Sequence, residues 1–281
     1  MPAIPDLLRQ TAAAIVLVSA FGGLQAFDAR AADIDGLLDQ ALAGSHRETR
    51  NAARDQYRHP KETLLFFGLR PDMTVVEVWP SGGWWTEILA PVLKDHGKYY
   101  AAWYPTQIEG TSDYLKKAEK GFDAKLASRP DLYGKVIKTS LRAPDYVDIA
   151  PKGSADMVLT FRNVHNWAKA GNAEAMFQAF YAALKPGGIL GVKDHRAKPG
   201  TPFQQQIDTG YLTEEYVIGL AEKAGFKLAA KSEINANPKD TKDHPRGVWT
   251  LPPTLALGDK DKDKYLAIGE SDRMTLKFIK P

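Results

Sequence analysis

The chain has 281 residues, which suffices for one large α/β domain or two small ones with a substantial buried core. Apolar residues make up 44% and charged residues 25%, ordinary values that exclude a disordered, collagenous or coiled-coil protein. The net charge of +3 gives no electrostatic reason to expect a nucleic-acid partner, and the absence of cysteine excludes disulfides, thiolate zinc sites and a cysteine nucleophile.

Residues 1–31 have the layout of a secretory signal peptide. Arg9 precedes an apolar stretch over residues 11–21, and the small residues that end at Ala31 provide an A-x-A cleavage site. The stretch is shorter than the roughly 20 residues that a membrane span needs. We therefore predict cleavage near Ala31 or Ala32 and a periplasmic or secreted protein without stable membrane insertion. A buried N-terminal helix and an uncleaved anchor are the alternatives.

Residues 32–73 form a predicted N-terminal helical extension. Apolar side chains recur at helical spacing over residues 34–42, and a charged helix is expected over residues 46–57. Pro60 breaks this pattern, and a third helix is predicted over residues 61–69.

Residues 74–281 alternate between predicted strands and helices. The predicted strands are 74–79, 98–103, 135–139, 155–161, 188–192, 226–234 and 273–279. The predicted helices are 84–93, 114–126, 172–184 and 214–224. Such alternation indicates a parallel sheet with helices on both faces. The mixed charge run over residues 260–264 is interpreted as an exposed loop.

The first of these strands reaches Glu77 and continues into a turn that contains Gly82 and Gly83, followed by a helix. A turn of this kind brings backbone close to a ligand, and the first N–H groups of the helix favour a negative group. In chain order, residues 77–83, 183–190 and 221–226 resemble class I S-adenosylmethionine-dependent methyltransferases. They match that family's acid-x-Gly-x-Gly-x-Gly motif and the turns before its fifth and sixth strands.

A closer resemblance, to a group of exported bacterial predicted methyltransferases, is carried by residues 77–84, 161–167, 193–196 and 247–253. The resemblance implies a Rossmann-like α/β fold over residues 74–281, with a seven-stranded, mostly parallel sheet, helices on both faces and an antiparallel last strand. It also implies methyl transfer from S-adenosylmethionine. We expect a small-molecule acceptor, because no basic stripe for nucleic acid is present.

The resemblance places the cofactor at the turn and at the ends of neighbouring strands. The candidate cofactor-binding residues are Glu77, Ser81, Gly82, Gly83, Trp103 and Asn163. Trp103, which ends the second predicted strand, is suited to stack on adenine. The sequence departs from the family motif because Trp79 and Ser81 occupy its first two glycine positions. It also lacks the carboxylate that in the family ends the second strand and binds the ribose.

Polar residues follow the fourth and fifth predicted strands, whose carboxyl ends meet at one edge of the sheet. His165 is a candidate general base, since imidazole exchanges a proton near neutral pH. Asp194 is a candidate to orient His165, and His195 is the third candidate catalytic residue. Neighbours on a strand point in opposite directions, so only one of Asp194 and His195 is expected to face the cleft. The spacing is not a recognised ligand signature, and no metal is predicted.

Substrate contacts are expected from the extension and from the fourth strand. The candidate substrate-binding residues are Tyr57, Arg58, His59 and Arg162. Trp249 and the proline pair that follows it are expected to cover a hydrophobic edge of the sheet.

Two other functions remain open. The first is a different reaction on the same fold, such as that of a lyase or hydrolase, after loss of cofactor binding. The second is non-catalytic ligand binding in a cleft rich in Trp79, Trp84 and Trp103. Binding of S-adenosylmethionine distinguishes both from a methyltransferase.

Overall fold

The computed structural model describes residues 34–281, so the signal-peptide prediction lies outside the described residues. The strands are β1 (Thr74–Val78), β2 (Lys98–Trp103), β3 (Ile137–Ser140), β4 (Ala155–Phe161), β5 (Leu184–His195), β6 (Lys227–Ser232) and β7 (Arg273–Ile279). The first helix, α1, covers residues 34–43. The other α-helices are α2 (Thr49–Ala52), α3 (Asp55–Arg58), α4 (Pro60–Phe67), α5 (Thr86–Leu93), α6 (Asp113–Ser128), α7 (Pro130–Tyr133), α8 (Val164–Ala170), α9 (Ala173–Ala183), α10 (Phe203–Thr209), α11 (Glu214–Lys223) and α12 (Lys262–Ile268).

The strands form a seven-stranded sheet in the order β3-β2-β1-β4-β5-β7-β6. The strands β1 to β5 pair in parallel, and β7 runs antiparallel to both of its neighbours, β5 and β6. The predicted Rossmann-like α/β fold, including its antiparallel last strand, is therefore confirmed. Because β7 is reversed, its first residue, Arg273, pairs with His195 at the end of β5. Arg273 thus lies at the carboxyl edge of the parallel strands.

Helices cover both faces of the sheet. One core cluster joins β1, β4 and β5 to α8, α9 and α11, with Trp167 and Phe180 among its largest side chains. The other joins the opposite face to α1, α4 and α5, and includes Leu38 and Phe67. The N-terminal extension is thus part of a core that it shares with the sheet. None of the helices within residues 34–281 has the length and apolarity needed to cross a membrane.

The structure extends the sequence-based elements in three places. The polar residues Lys193, Asp194 and His195 continue β5, because their backbone pairs with β7. Helices α7, α8 and α10 were not predicted. The exposed-loop prediction for residues 260–264 is wrong at its second half, where α12 begins, since Tyr265 is 3% exposed and anchors the helix.

Candidate active site

A cavity of about 1030 Å³ opens at the carboxyl edge of the sheet. Its walls come from the ends of β1, β2, β4 and β5, from the start of β7 and from α2 and α3 of the N-terminal extension. In open α/β sheets, ligands bind beyond the carboxyl ends of the strands. The volume of the cavity lies at about the upper limit for small-molecule sites.

The turn after β1 is built from left-handed backbone. The φ angle is 48° at Trp79, 53° at Ser81 and 75° at Gly83. Residues other than glycine rarely adopt positive φ angles of this size. The two glycines of this turn differ in their surroundings. A Cβ on Gly82 would meet nothing within 4 Å, whereas one on Gly83 would lie 2.9 Å from Lys125 Cδ. Gly82 and Ser81 line the cavity, and Gly83 instead permits the close approach of α6.

Glu77 ends up buried beneath the turn, with only 2% of its surface exposed. The hydroxyls of Thr86, at 3.1 Å, and of Tyr99 both donate to its Oε2. Burial raises the pKa of Glu77 to about 7, although these two hydrogen bonds act in the opposite direction. The carboxyl group therefore supports the turn through Oε2, which leaves Oε1 as the oxygen available to a ligand in the cavity.

Trp103 and Asn163 lie on the cavity wall at the ends of β2 and β4. The Nε1 atom of Trp103 is buried and has no hydrogen-bond partner within residues 34–281. Asn163 donates from Nδ2 to the carbonyl of Val78 at 3.0 Å, which ties the end of β4 to the end of β1. The lining contains no carboxylate at the end of β2, where Trp103 is followed by Tyr104.

The side chain of Trp79 points toward the outer strands. Its Nε1 donates to the carbonyl of Leu141 at 2.9 Å, just beyond β3. Its ring lies edge-on to Tyr104 and Trp167, with centroids 5.7 and 5.5 Å away. Trp79 therefore forms a fixed aromatic wall on the β2–β3 side of the cavity and does not block Gly82.

His165 and Asp194 meet across the neighbouring strands β4 and β5. Asp194 is fully buried, and its Oδ1 lies 2.9 Å from Nδ1 of His165. Its Oδ2 also accepts from the His165 backbone N–H at 3.3 Å. A carboxylate at Nδ1 holds a proton on that nitrogen and leaves Nε2 as the basic atom. His165 lines the cavity and Asp194 does not, which is the arrangement of a base and its orienting group.

His195 also lines the cavity, so it is the member of the Asp194–His195 pair that faces the cleft. Its Nδ1 lies 2.5 Å from the hydroxyl oxygen of Ser271, and its ring centroid lies 5.1 Å from that of His165. Burial lowers the pKa of His195 well below its usual value, and the charges of His165 and Arg162 lower it further. His195 is therefore neutral at physiological pH.

The donor atoms of His165, Asp194 and His195 lie within 4.8 Å of one another, a spacing compatible with a metal ion. Both oxygens of Asp194, however, already accept hydrogen bonds from His165 and from the His195 backbone N–H. Cationic side chains also surround the site, and Arg162 and Arg273 depress the pKa of His195. This charge opposes a cation, so the trio is better suited to proton transfer.

The predicted substrate-binding residues separate into two pairs. Arg58 and Arg162 line the cavity. Tyr57 and His59 do not, because α3 turns only one side toward the cavity. Tyr57 packs beside Gly269 instead, and His59 adopts a left-handed conformation with φ of 42° between α3 and α4.

Several solved structures share this fold. A SAM-dependent methyltransferase from Aquifex aeolicus aligns over 82% of this chain and 93% of its own, with 15% identity and a TM-score of 0.53. A protein from Galdieria sulphuraria assigned as a sarcosine dimethylglycine methyltransferase aligns over 83% and 87%, with 12% identity and a TM-score of 0.54. The chain has the fold of class I SAM-dependent methyltransferases.

The [4+2]-cyclase SpnF aligns over 89% of this chain and 93% of its own, with 16% identity and a TM-score of 0.51. This fold therefore also occurs in a protein named for a different reaction, and the fold alone does not determine the chemistry. The sequence matches no known family profile and no curated protein.

Sequence reasoning missed part of this cavity. Arg54, Lys193 and Arg273 line it, as do Trp249 and Pro252, although Trp249 and the proline pair were expected to cover a sheet edge. One signal was available for Lys193, because a lysine within an otherwise apolar strand is a buried charge that requires an explanation. No local pattern marked Arg54, which lies between two short helices.

Proposed function

We propose that this protein transfers a methyl group from S-adenosylmethionine to a small-molecule acceptor. The observation that carries the proposal is the cavity at the carboxyl edge of β1, β2 and β4, into which the turn at Gly82 opens. In this fold the turn after the first strand and the edge beyond it are the ligand-binding region. The methyltransferases of the same fold support the assignment.

The residues present suit most of the cofactor. Open space over Gly82 accommodates the amino-acid end, and Oε1 of Glu77 is placed to accept from its ammonium group. Trp103 offers the adenosyl end an aromatic face and an Nε1 donor that is unpaired within residues 34–281, and Asn163 lines the cavity at the end of β4. No carboxylate at the end of β2 is present for the ribose hydroxyls. When bound, the cofactor supplies an activated methyl group on a sulfonium.

The protein's own part in catalysis is to position the acceptor and to remove its proton. Holding the reacting groups in line lowers the barrier to such a transfer, because the entropy of bringing them together is lost on binding. His165 is the base, since Asp194 orients it and its Nε2 is free to take a proton from an acceptor heteroatom. His195 remains neutral and serves as a polar contact beside it.

Calorimetry with S-adenosylmethionine and S-adenosylhomocysteine on the purified protein tests this proposal. The Gly82→Asp variant places a carboxylate in the cavity, and we expect it to weaken binding of both compounds roughly tenfold or more. The matched control is Gly219→Asp, because a Cβ at this exposed position on α11 also meets nothing within 4 Å. The proposal fails if the wild-type protein binds neither compound, or if Gly82→Asp binds both as the wild type does.

The missing ribose carboxylate favours one second candidate, a different reaction on this fold such as that of a lyase or hydrolase. The cyclase neighbour has such a separate activity. Under this alternative, His165 is still required for activity and neither adenosyl compound binds. Non-catalytic ligand binding predicts instead that a small molecule binds in the cavity and that no turnover of it is observed.

We also propose that the protein is exported, as the closer resemblance to exported predicted methyltransferases implies. The mature N-terminus is then expected near Ala32 or Asp33. N-terminal sequencing of protein from the periplasmic fraction tests this, and an intact Met1 on cytoplasmic protein would contradict it.

A further inference from the structure

The cavity is strongly cationic on the side of β4, β5 and β7. Five cationic side chains line that side, here called the cationic cluster: Arg54, Arg58, Arg162, Lys193 and Arg273. Three of these arginines, at positions 54, 58 and 273, share the carboxylate of Glu270. Among the residues that line the cavity, Glu77 is the sole acid, and it lies at the other end, under the turn after β1.

Arg162 is the member of the cluster whose charge is least compensated. Within residues 34–281 its guanidinium makes no hydrogen bond or ion pair to any side chain, and its Nε is buried without a partner. Burial lowers the pKa of Arg162 to about 10, and the nearby charge of Arg273 contributes. The residue also has φ of 63°, a conformation that costs roughly 1 kcal/mol or more. Placing Arg162 at the cavity wall therefore costs free energy, both because its charge is buried without a partner within residues 34–281 and because its backbone is strained.

Among the residues that the structure describes, Lys193 likewise has no acidic partner. Its side chain is 1% exposed, and its ammonium donates only to neutral oxygens, the carbonyl of Arg58 at 3.1 Å and Oδ1 of Asn235 at 3.3 Å. The ammonium also lies 4.6 Å from the ring centroid of Trp85. Burial lowers the pKa of Lys193 well below its usual value, with Arg273 and Arg58 as the next causes. An anion bound in the cavity would offset both the burial of the Lys193 charge and its repulsion by Arg273 and Arg58.

The cluster lies apart from the residues assigned to the cofactor. Most of those residues lie at the ends of β1 and β2, and Asn163, which follows β4, is tied to the end of β1 by its hydrogen bond to the Val78 carbonyl. Arg162, Lys193 and Arg273 lie toward the other side, at the ends of β4 and β5 and the start of β7. His165, the proposed base, follows β4 and faces the same part of the cavity. The cluster therefore flanks the place where an acceptor would approach the base.

We propose that the cationic cluster binds an oxyanion group, a carboxylate or a phosphate, on the methyl acceptor, an inference that rests on the proposed function for the acceptor role. Guanidinium groups present paired N–H donors that match the oxygens of both groups. Buried cations without an acidic partner are costly unless a ligand supplies the opposite charge. The acceptor is therefore acidic, and Arg162 supplies its principal unshared ion pair.

Malonate and inorganic phosphate are the probes, titrated into the full protein at constant ionic strength and followed by calorimetry. We expect Arg162→Gln to weaken binding of the preferred probe roughly 10- to 100-fold. Arg162→Lys keeps the positive charge but loses the paired N–H donors of the guanidinium. Its affinity for the probe should lie between those of the wild type and of Arg162→Gln. The matched control is Arg70→Gln, which removes an exposed arginine outside the cavity. This variant should bind both probes with the affinity of the wild type. The probe that binds more tightly distinguishes a carboxylate from a phosphate.

S-adenosylhomocysteine is titrated into the same variants, so that failure of this inference differs from failure of the proposed function. We expect its affinity to be unchanged by Arg162→Gln. An equal loss of S-adenosylhomocysteine binding would assign the cluster to the cofactor's own carboxylate and overturn the inference. Failure of both probes to bind the wild type, or equal binding to Arg162→Gln, would also overturn it. If the probes bind and S-adenosylhomocysteine does not, the anion site stands and the methyltransferase proposal fails.

Discussion

Replacement of Glu77 by glutamine should change how the stability of the protein depends on pH. Glu77 is buried, and burial raises its pKa from 4.5 to about 7. In the unfolded chain the carboxyl group ionises near its ordinary value, whereas in the folded protein it retains its proton to higher pH. Between these two values, the unfolded state loses the proton first. The group therefore disfavours folding progressively as the pH rises from about 4.5 to 7.

The size of this effect follows from the two pKa values. A difference of about 2.5 in pKa, at roughly 1.4 kcal/mol for each unit, corresponds to on the order of 3 kcal/mol in the free energy of unfolding. The side chain is 2% exposed, so solvent screening reduces this value little. Glutamine has nearly the same shape and an oxygen that accepts from Thr86 and Tyr99, but it does not ionise.

Urea denaturation of the wild type and of Glu77→Gln, from about pH 4 to pH 8.5, measures the effect. The difference in unfolding free energy should shift by on the order of 3 kcal/mol in favour of the variant over this range. Tyr99→Phe serves as a second comparison, because it removes a hydrogen bond that lowers the pKa of Glu77. Loss of this hydrogen bond raises the pKa of Glu77 further. The free energy of unfolding of Tyr99→Phe should therefore continue to fall to a higher pH than that of the wild type. A difference between wild type and Glu77→Gln that stays constant with pH would refute the reasoning.

Two further predictions concern the base and the core. Asp194→Asn should lower turnover roughly 10²- to 10⁴-fold, because the amide no longer fixes the proton on Nδ1 of His165; S-adenosylhomocysteine affinity measured by calorimetry should not change. Equal losses of turnover and affinity would contradict the orienting role. Gly191→Ala should destabilise the protein by about 1–3 kcal/mol in urea denaturation, because the new Cβ would lie 2.7 Å from Leu159 Cδ2 and 2.9 Å from the Phe67 ring. Unchanged stability would show that this core can adjust.

The sheet was predictable because its strands are marked locally. The bounds predicted for β2, β4 and β7 agree with the structure, since each is a run of strand-forming residues between clear breaks. The end of β5 was placed too early because Lys193 and His195 interrupt the apolar pattern. Their backbone is held by β7, which lies about eighty residues later in the chain, and no local pattern reports that pairing.

The candidate site was predictable to the extent that the fold places strand ends together. The order of strands brings His165 and Asp194 to one edge, and their contact follows from that order. The different roles of Gly82 and Gly83 could not be predicted, because they depend on how closely α6 approaches the turn. The cationic cluster was predictable only in part: Arg58 and Arg162 were candidate substrate-binding residues, whereas Arg54 and Arg273, which come from opposite ends of the described chain, carried no local signal.

The ion pair between Arg54 and Glu270 joins residues that are 216 positions apart, with Nε and Oε1 at a distance of 2.5 Å. Contacts of such long sequence separation close a long loop, and folds rich in them fold slowly because the entropy of closure is lost before the contacts form. During synthesis, Arg54 and Arg58 leave the ribosome long before Glu270 exists, so their charges have no shared carboxylate until β7 enters the sheet. The part of the cationic cluster that depends on Glu270 is therefore completed only after the last strand has been synthesised. A chain whose synthesis stopped before Glu270 would contain the glycine turn, but Arg54 and Arg58 would lack the carboxylate that they share.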